Sequence, residues 1–125
     1  MNNNDKDILF EFKELKTDRA SLFRYFGKNP VYAETDNPIC ITCNDLIKLI
    51  EFYVSKKINY EKVIEWCDVV RFSDDLFDYP DEEEAQDVIA TVIDEIQDTE
   101  ETTKSLSDTQ IKRWLSLLKA LSNSN

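Results

Sequence analysis

The sequence contains no histidine and only one glycine, Gly27. Without histidine the chain has no His general base, no His-activated serine or cysteine, and no zinc site of the usual Cys/His kind. With a single glycine it has no glycine-rich phosphate loop of the G-x-G-x-x-G or Walker type. Most familiar enzyme classes depend on one of these features. We therefore predict that the protein is not an enzyme and that it binds no cofactor or metal.

Cysteines and long apolar runs are also scarce. Three cysteines, Cys40, Cys43 and Cys67, are too few and odd in number for the disulfide framework of a small secreted domain. The N-terminus has no basic stretch followed by an apolar one, so we expect no signal peptide. The longest uninterrupted apolar run is three residues, whereas a membrane-spanning helix needs about 20. These features predict a cytoplasmic protein.

The composition favours one folded domain with a strong negative charge. A chain of 125 residues with 42% hydrophobic residues can build a core, and we expect a single domain over residues 1–125. Acids outnumber bases by 26 to 15, giving a net charge of -11. Nucleic acid and anionic membranes are excluded as partners by this charge, because both are bound largely through Lys and Arg.

The scarcity of glycine and proline favours helices over strands. Four segments carry apolar residues at helical spacing and follow a residue suited to a helix entry: 45–55 after Asn44, 60–72 after Asn59, 81–98 after Pro80, and 108–121 after Ser107. Ser107 and Gln110 have the spacing of a capping box. We predict an all-α or mainly α fold, a compact bundle of about four to six helices with its core in residues 44–121.

The first 43 residues form a less regular extension of this core. Residues 8–16 fit either a helix or a strand, and residues 17–26 fit a helix that ends at Gly27. We favour a helix for both segments. Residues 31–33 and 39–41 could pair as a small β-hairpin. Residues 99–105 are predicted as a polar linker and residues 122–125 as a frayed tail.

The negative charge is concentrated in residues 68–101. This acidic segment holds 14 acids and one base, Arg71, and carries -13 over 34 residues, while the other 91 residues carry +2. A solvated helix face is the ordinary interpretation of such a run. Here, however, the acids lack the interspersed bases that would stabilise a helix, and they surround Phe72, Phe77 and Tyr79. Aromatic anchors ringed by charge are typical of a tight, electrostatically steered interface.

We therefore predict a partner-binding surface in the acidic segment, although core packing is an equally good interpretation of Phe77 and Tyr79. Its carboxylates would pair with Lys and Arg of a basic protein, and the two aromatic residues would be its apolar anchors. The predicted residues are Asp68, Asp74, Asp75, Phe77, Asp78, Tyr79, Glu82, Glu83, Asp87, Asp94 and Glu95.

Two other patterns suggest different chemistry. Cys40 and Cys43 form a C-x-x-C before a predicted helix, whose dipole would lower a thiol pKa and support redox chemistry; both could equally fill space beside the hairpin. The acids that begin at Asp74 do not follow the EF-hand spacing, because Tyr79 stands where that loop requires glycine. The second pattern therefore gives no calcium site.

The stretch Asp-Leu-Ile-Lys-Leu-Ile-Glu-Phe-Tyr-Val-Ser-Lys-Lys-Ile-Asn-Tyr-Glu-Lys-Val, residues 45–63, resembles the opening helix pair of colicin D-type immunity proteins. More broadly it is similar to immunity proteins of contact-dependent growth inhibition systems, with Asp-Asp-Leu-Phe-Asp at 74–78 as their acidic Leu-Phe segment. The resemblance covers about residues 45–121. It implies a small cytoplasmic helical protein that binds the C-terminal nuclease domain of a cognate toxin and covers the nuclease site with carboxylates in place of phosphates.

Three functional hypotheses remain open. The first is an immunity protein that neutralises a toxin nuclease. The second is a phage-encoded nucleic-acid mimic that blocks a host defence nuclease through the same kind of surface. The third, from a different class, is a thiol oxidoreductase that uses Cys40 and Cys43.

Overall fold

The computed structural model describes residues 3–122, and within this range the chain is mainly helical, as predicted. The described residues form six α-helices and one two-stranded parallel sheet. The helices are α1 (Asn3–Lys13), α2 (Arg19–Phe26), α3 (Cys43–Val54), α4 (Tyr60–Phe72), α5 (Glu83–Asp98) and α6 (Asp108–Ser122). The strands are β1 (Ile39–Cys40) and β2 (Phe77–Asp78), and two 3₁₀ turns cover Pro30–Tyr32 and Thr99–Glu101.

Several helix ends are set by side-chain caps that the sequence predicts. α4 has the predicted bounds, and the Asn59 side chain accepts a hydrogen bond from the Lys62 N–H at 2.9 Å. The Ser107 hydroxyl accepts from the Gln110 N–H at 3.2 Å, and the Gln110 side chain accepts in return from the Ser107 N–H at 3.4 Å. Gly27 ends α2 in the left-handed region with φ 73°. These caps confirm the predicted starts of α4 and α6 and the predicted end of α2.

Four predicted helix starts are wrong. α1 begins at Asn3 rather than at residue 8, and α2 begins at Arg19 rather than at residue 17, because Asp18 is its N-cap. α3 begins at Cys43 because Thr42, not Asn44, is its N-cap: the Thr42 side chain accepts from the Asp45 N–H, and the Asp45 carboxylate accepts from the Thr42 N–H at 2.8 Å. This reciprocal box satisfies two free N–H groups at once, which a cap at Asn44 would not. α5 begins at Glu83, two residues later than predicted, with no side-chain cap.

The predicted N-terminal hairpin is also wrong. Residues 31–33 lie at a 3₁₀ turn that begins at Pro30, where the Asn29 side chain accepts from the Val31 N–H at 3.1 Å. A strand would lose a donor at proline, whereas the first position of a helical turn does not need one. β1 instead pairs in parallel with β2, with Ile39 opposite Phe77. The first 43 residues are therefore tied to the connection between α4 and α5.

Residues 8–13 adopt the helical alternative as part of α1, whereas residues 14–16 lie beyond its end at Lys13 and form a turn. The predicted linker 99–105 is partly structured, because Thr99 is buried and its hydroxyl lies 2.8 Å from the Tyr60 hydroxyl. Of the predicted tail, Ser122 belongs to α6 and its hydroxyl donates to the Asn44 side chain at 2.5 Å. The other three tail residues, 123–125, lie outside the described residues.

Buried apolar residues from all six helices form one cluster. α6 packs against α3 and α5, α4 packs against α5, and α1 and α2 pack together at the side of β1 and α4. The two largest buried side chains, Trp66 and Trp114, donate their ring N–H groups to the Lys13 carbonyl and the Glu95 carboxylate. Across residues 3–122 we find no helix with the length and apolar character needed to cross a membrane.

Candidate acidic interaction surface

The outer side of α5 carries a row of carboxylates. Glu83, Asp87, Asp94 and Asp98 are exposed and follow one another at spacings of four, seven and four residues, so they lie on one side of the helix. At 1.5 Å rise per residue the row extends for about 22 Å. The opposite side is buried and consists of Ala85, Ile89, Val92, Ile93 and Ile96. The apolar side fixes the orientation of α5, and the acids consequently face solvent.

Few of these charges are neutralised within the described residues. Of the 14 acids in the acidic segment, only two form an ion pair with a described base. Asp94 lies 2.7 Å from an Arg71 nitrogen, and Glu95 pairs with Arg113, which comes from α6. Glu95 also accepts from the Trp114 ring at 2.8 Å. The other twelve carboxylates therefore make the surface strongly negative, whereas Glu95 has a structural role.

A groove runs between the α4–β2 connection and α5. It has a volume of about 400 Å³ and is lined by Asp74, Tyr79, Asp94 and Arg71, together with the small side chains of α5. Tyr79 is half-buried, and burial followed by the nearby Asp74 carboxylate raises the pKa of its phenol. The phenol therefore stays protonated and can donate a hydrogen bond. Three predicted site residues thus meet in one groove.

Phe77 does not belong to this surface. It is 3% exposed in β2 and packs against Phe12, with 5.9 Å between the ring centroids. Its burial supports core packing, the other interpretation of Phe77, because a buried ring can reach a partner only if the sheet opens. Of the three aromatic residues among the acids, Phe72, the last residue of α4, is the most exposed, at 53%. It lies beside Arg71, whose guanidinium is 5.5 Å from the ring centroid.

A second depression extends the acidic surface towards the N-terminal part of the chain. Asp75 lines it together with Asp5, Glu34 and Asp36, around a volume of about 450 Å³. Asp5 is held by the Tyr25 and Thr35 hydroxyls at 2.5 and 2.9 Å. The three N-terminal acids are not part of the predicted surface, and no local pattern indicates them, since they approach Asp75 only through the fold. No group of described residues is arranged to hold a metal ion.

The two cysteines of the C-x-x-C line another cavity, of about 340 Å³, between the starts of α3 and α5 and the end of α6. Glu82 is on its wall. Burial raises the pKa of both thiols, and the carboxylates of Asp78 for Cys40 and Glu82 for Cys43 raise it further. A redox thiol requires a lowered pKa. The pKa values of Cys40 and Cys43 are raised instead, because desolvation and negative charge outweigh the dipole of α3.

The remaining predicted residues lie around this surface. Asp68 is half-buried on α4, accepts from the Gln97 side chain at 2.7 Å, and borders a small cavity beside Phe72. Asp78 is exposed in β2, and Glu83 and Asp87 are exposed on the first turns of α5. The α4–β2 connection is thus the centre of the surface, because depressions open on both sides of it.

Comparisons with known proteins do not identify the chain. No protein-family model matches it, and neither the curated proteins nor the solved structures gave a significant match. The resemblance to immunity proteins therefore stays a prediction.

Proposed function

We propose that the protein is an immunity-type inhibitor that binds a toxin nuclease domain and neutralises it by covering the basic active site. The observation that carries this proposal is the set of twelve carboxylates in residues 68–101 without an ion pair to a described base. A surface that serves only solubility gains little from such crowding, because like charges on one helix destabilise it. A partner with the opposite charge would remove that repulsion.

A nuclease is a suitable partner for physical reasons. Its substrate site must hold Lys and Arg side chains that bind phosphates. Carboxylates that enter this site take the place of the phosphates and prevent substrate binding. Long-range attraction between the two surfaces would speed association by one to three orders of magnitude at low salt.

The shape of the acidic surface is typical of a specific interface rather than of a uniformly charged face. Asp74, Tyr79 and the Arg71–Asp94 ion pair line a groove, so a basic side chain that enters it meets the Asp74 carboxylate, which has no ion pair, and a protonated phenol. Phe72 supplies an exposed aromatic side chain at the edge of the acids. Interfaces commonly combine such an aromatic anchor with a charged rim.

The proposal is tested by expressing the chain together with a nuclease domain encoded next to its gene, and by measuring cell survival and nuclease activity. Wild-type protein should restore survival, and the triple variant Asp74→Asn, Asp75→Asn, Asp78→Asn should protect much less while remaining folded. A control triple variant, Asp7→Asn, Glu11→Gln, Glu61→Gln, makes the same change in net charge at exposed positions outside the acidic segment.

The two triple variants distinguish binding through the acidic segment from an effect of the overall net charge. The control variant should protect as wild type does. Equal loss of protection in both variants would show that only net charge matters. Full protection by the first triple variant would refute a role for the α4–β2 connection.

A further inference from the structure

A small cavity lies between α2, the 3₁₀ turn at Pro30–Tyr32 and the end of α4. Its volume is about 140 Å³, the space of roughly four or five water molecules at about 30 Å³ each. Its wall combines apolar and polar side chains, among them Pro30, Val69, Phe72, Arg19, Asp68 and Ser73. Such a mixture is typical of a site that takes a side chain with an apolar stem and a polar head.

Ser73 is unusual on this wall. Its side chain is fully buried, and within residues 3–122 its hydroxyl is the sole buried side-chain oxygen or nitrogen without a hydrogen-bond partner. Native proteins leave few such groups, and each one destabilises the fold. Ser73 is the C-cap residue of α4 and borders the cavity, so a polar group bound in this cavity lies next to its side chain.

Asp68 supplies a charge with one free acceptor. One of its carboxylate oxygens accepts from the Gln97 amide at 2.7 Å, which holds the side chain from the α5 side. The other oxygen makes no hydrogen bond or ion pair with the described residues. Asp68 can therefore accept from a donor in the cavity through a single oxygen.

We propose that this cavity receives one lysine side chain of the basic partner, with its stem against Phe72 and its ammonium between Asp68 and Ser73. This inference rests on the proposed function, since it names the partner side chain that the acidic surface takes up. The ammonium would donate to the free Asp68 oxygen and to the Ser73 hydroxyl. Both groups would then be satisfied in the complex.

The geometry favours lysine over the alternatives. The Gln97 amide takes one lone pair on one Asp68 oxygen. An arginine fork, which binds carboxylates best through both oxygens, would have to share that oxygen, whereas an ammonium needs only the other one. A purely apolar side chain would cover Asp68 and Ser73 without giving either a partner, which is unfavourable. Arg19 opposes any cation here, although its guanidinium donates to the Asn29 side chain at 3.2 Å. Replacing Arg19 should therefore strengthen lysine binding.

The test is an NMR titration of the full chain with Nα-acetyl-lysine N-methylamide, with the norleucine and arginine analogues as matched probes. Norleucine has the lysine stem without the ammonium. The lysine probe should shift the backbone signals of Val69, Phe72 and Ser73 in a saturable way, with a dissociation constant in the millimolar range. The norleucine and arginine probes should each bind about fivefold more weakly or worse.

Variants locate the effect. Asp68→Asn should abolish the preference for lysine over norleucine, and Arg19→Gln should increase affinity for the lysine probe. Glu100→Gln removes an exposed carboxylate elsewhere in the acidic segment and should change nothing. Equal binding of lysine and norleucine, tighter binding of arginine, or an unchanged preference in Asp68→Asn would overturn the proposal.

These outcomes are independent of toxin inhibition. The proposed function is tested by protection from the nuclease and by the triple variant in the α4–β2 connection. Binding of the lysine probe without any inhibited nuclease would leave the cavity site in place and refute the proposed function. Protection from the nuclease without binding of the lysine probe would support the proposed function and refute the lysine site in the cavity.

Discussion

The different positions of Phe77 and Phe72 make a quantitative prediction about stability. Phe77 is 3% exposed and packs on Phe12 in the core, so Phe77→Ala removes a full aromatic side chain from a buried site. Substitutions of this kind cost about 3–5 kcal/mol. Phe72 is 53% exposed, and its loss removes little packing beyond the contact with Arg71. We expect Phe72→Ala to cost about 1 kcal/mol or less.

Urea unfolding followed by circular dichroism measures both values under the same conditions. The free energy of unfolding of Phe77→Ala should lie at least about 2 kcal/mol below that of Phe72→Ala, with unchanged denaturant dependence. At roughly 4 °C per kcal/mol for a domain of this size, the melting temperatures should differ by about 8 °C or more. Equal stabilities, or a larger loss for Phe72→Ala, would refute the assignment of Phe77 to the core.

Three other predictions concern local interactions. Thr42→Ala should destabilise the protein by about 1 kcal/mol in urea unfolding, because it removes the cap of α3. The thiols of Cys40 and Cys43 should react with iodoacetamide at neutral pH more slowly than a free thiol, since their pKa values are raised; fast reaction would revive the redox hypothesis. The hydrogen bond from Lys48 lowers the pKa of the Glu14 carboxyl below 4.5. The unfolded state therefore binds the proton more readily than the folded state does. The stabilisation that the Glu14–Lys48 contact gives the fold is present above pH 4.5 and is lost as the pH falls below it. In urea unfolding, the difference in the free energy of unfolding between wild type and Glu14→Gln should shrink as the pH falls below 4.5. A difference that stays constant would contradict a contribution from the Glu14–Lys48 contact.

Local signals were sufficient for much of the helical framework. Asn59, Ser107 and Gly27 each act within three or four residues of their position, and the structure confirms all three as helix ends. Thr42 also acts locally, through Asp45. Asn44 has an equally suitable side chain, and the reciprocal bond that favours Thr42 decides between them.

Contacts between distant segments could not be predicted in this way. β1 pairs with a strand 38 residues further along the chain, as Ile39 lies opposite Phe77. The apolar residues at 31–33 and 39–41 are close in sequence, and this local pattern instead suggests a hairpin. The same pairing buries Phe77, which in the sequence stands among acids and therefore suggests an exposed anchor. Phe72 and Phe77 are distinguished only by the packing that surrounds them.

The acidic surface, too, could be predicted from the sequence only in part. The charge of residues 68–101 can be counted from the sequence, and the apolar side of α5 predicts which acids face solvent. The approach of Asp5 and Asp36 to Asp75, and the cavity that joins Arg19 with Asp68, depend on how α1, α2 and the 3₁₀ turn pack. These features require the fold.

We propose that the acidic surface steers a basic nuclease towards the protein and holds it there. The most direct test of this proposal is the association rate constant of the purified chain with the toxin nuclease, measured by stopped flow at low and high ionic strength. We predict a rate that falls steeply with salt, and a much smaller fall for the Asp74→Asn, Asp75→Asn, Asp78→Asn variant. A rate independent of salt, or the same salt dependence in that variant, would contradict the account.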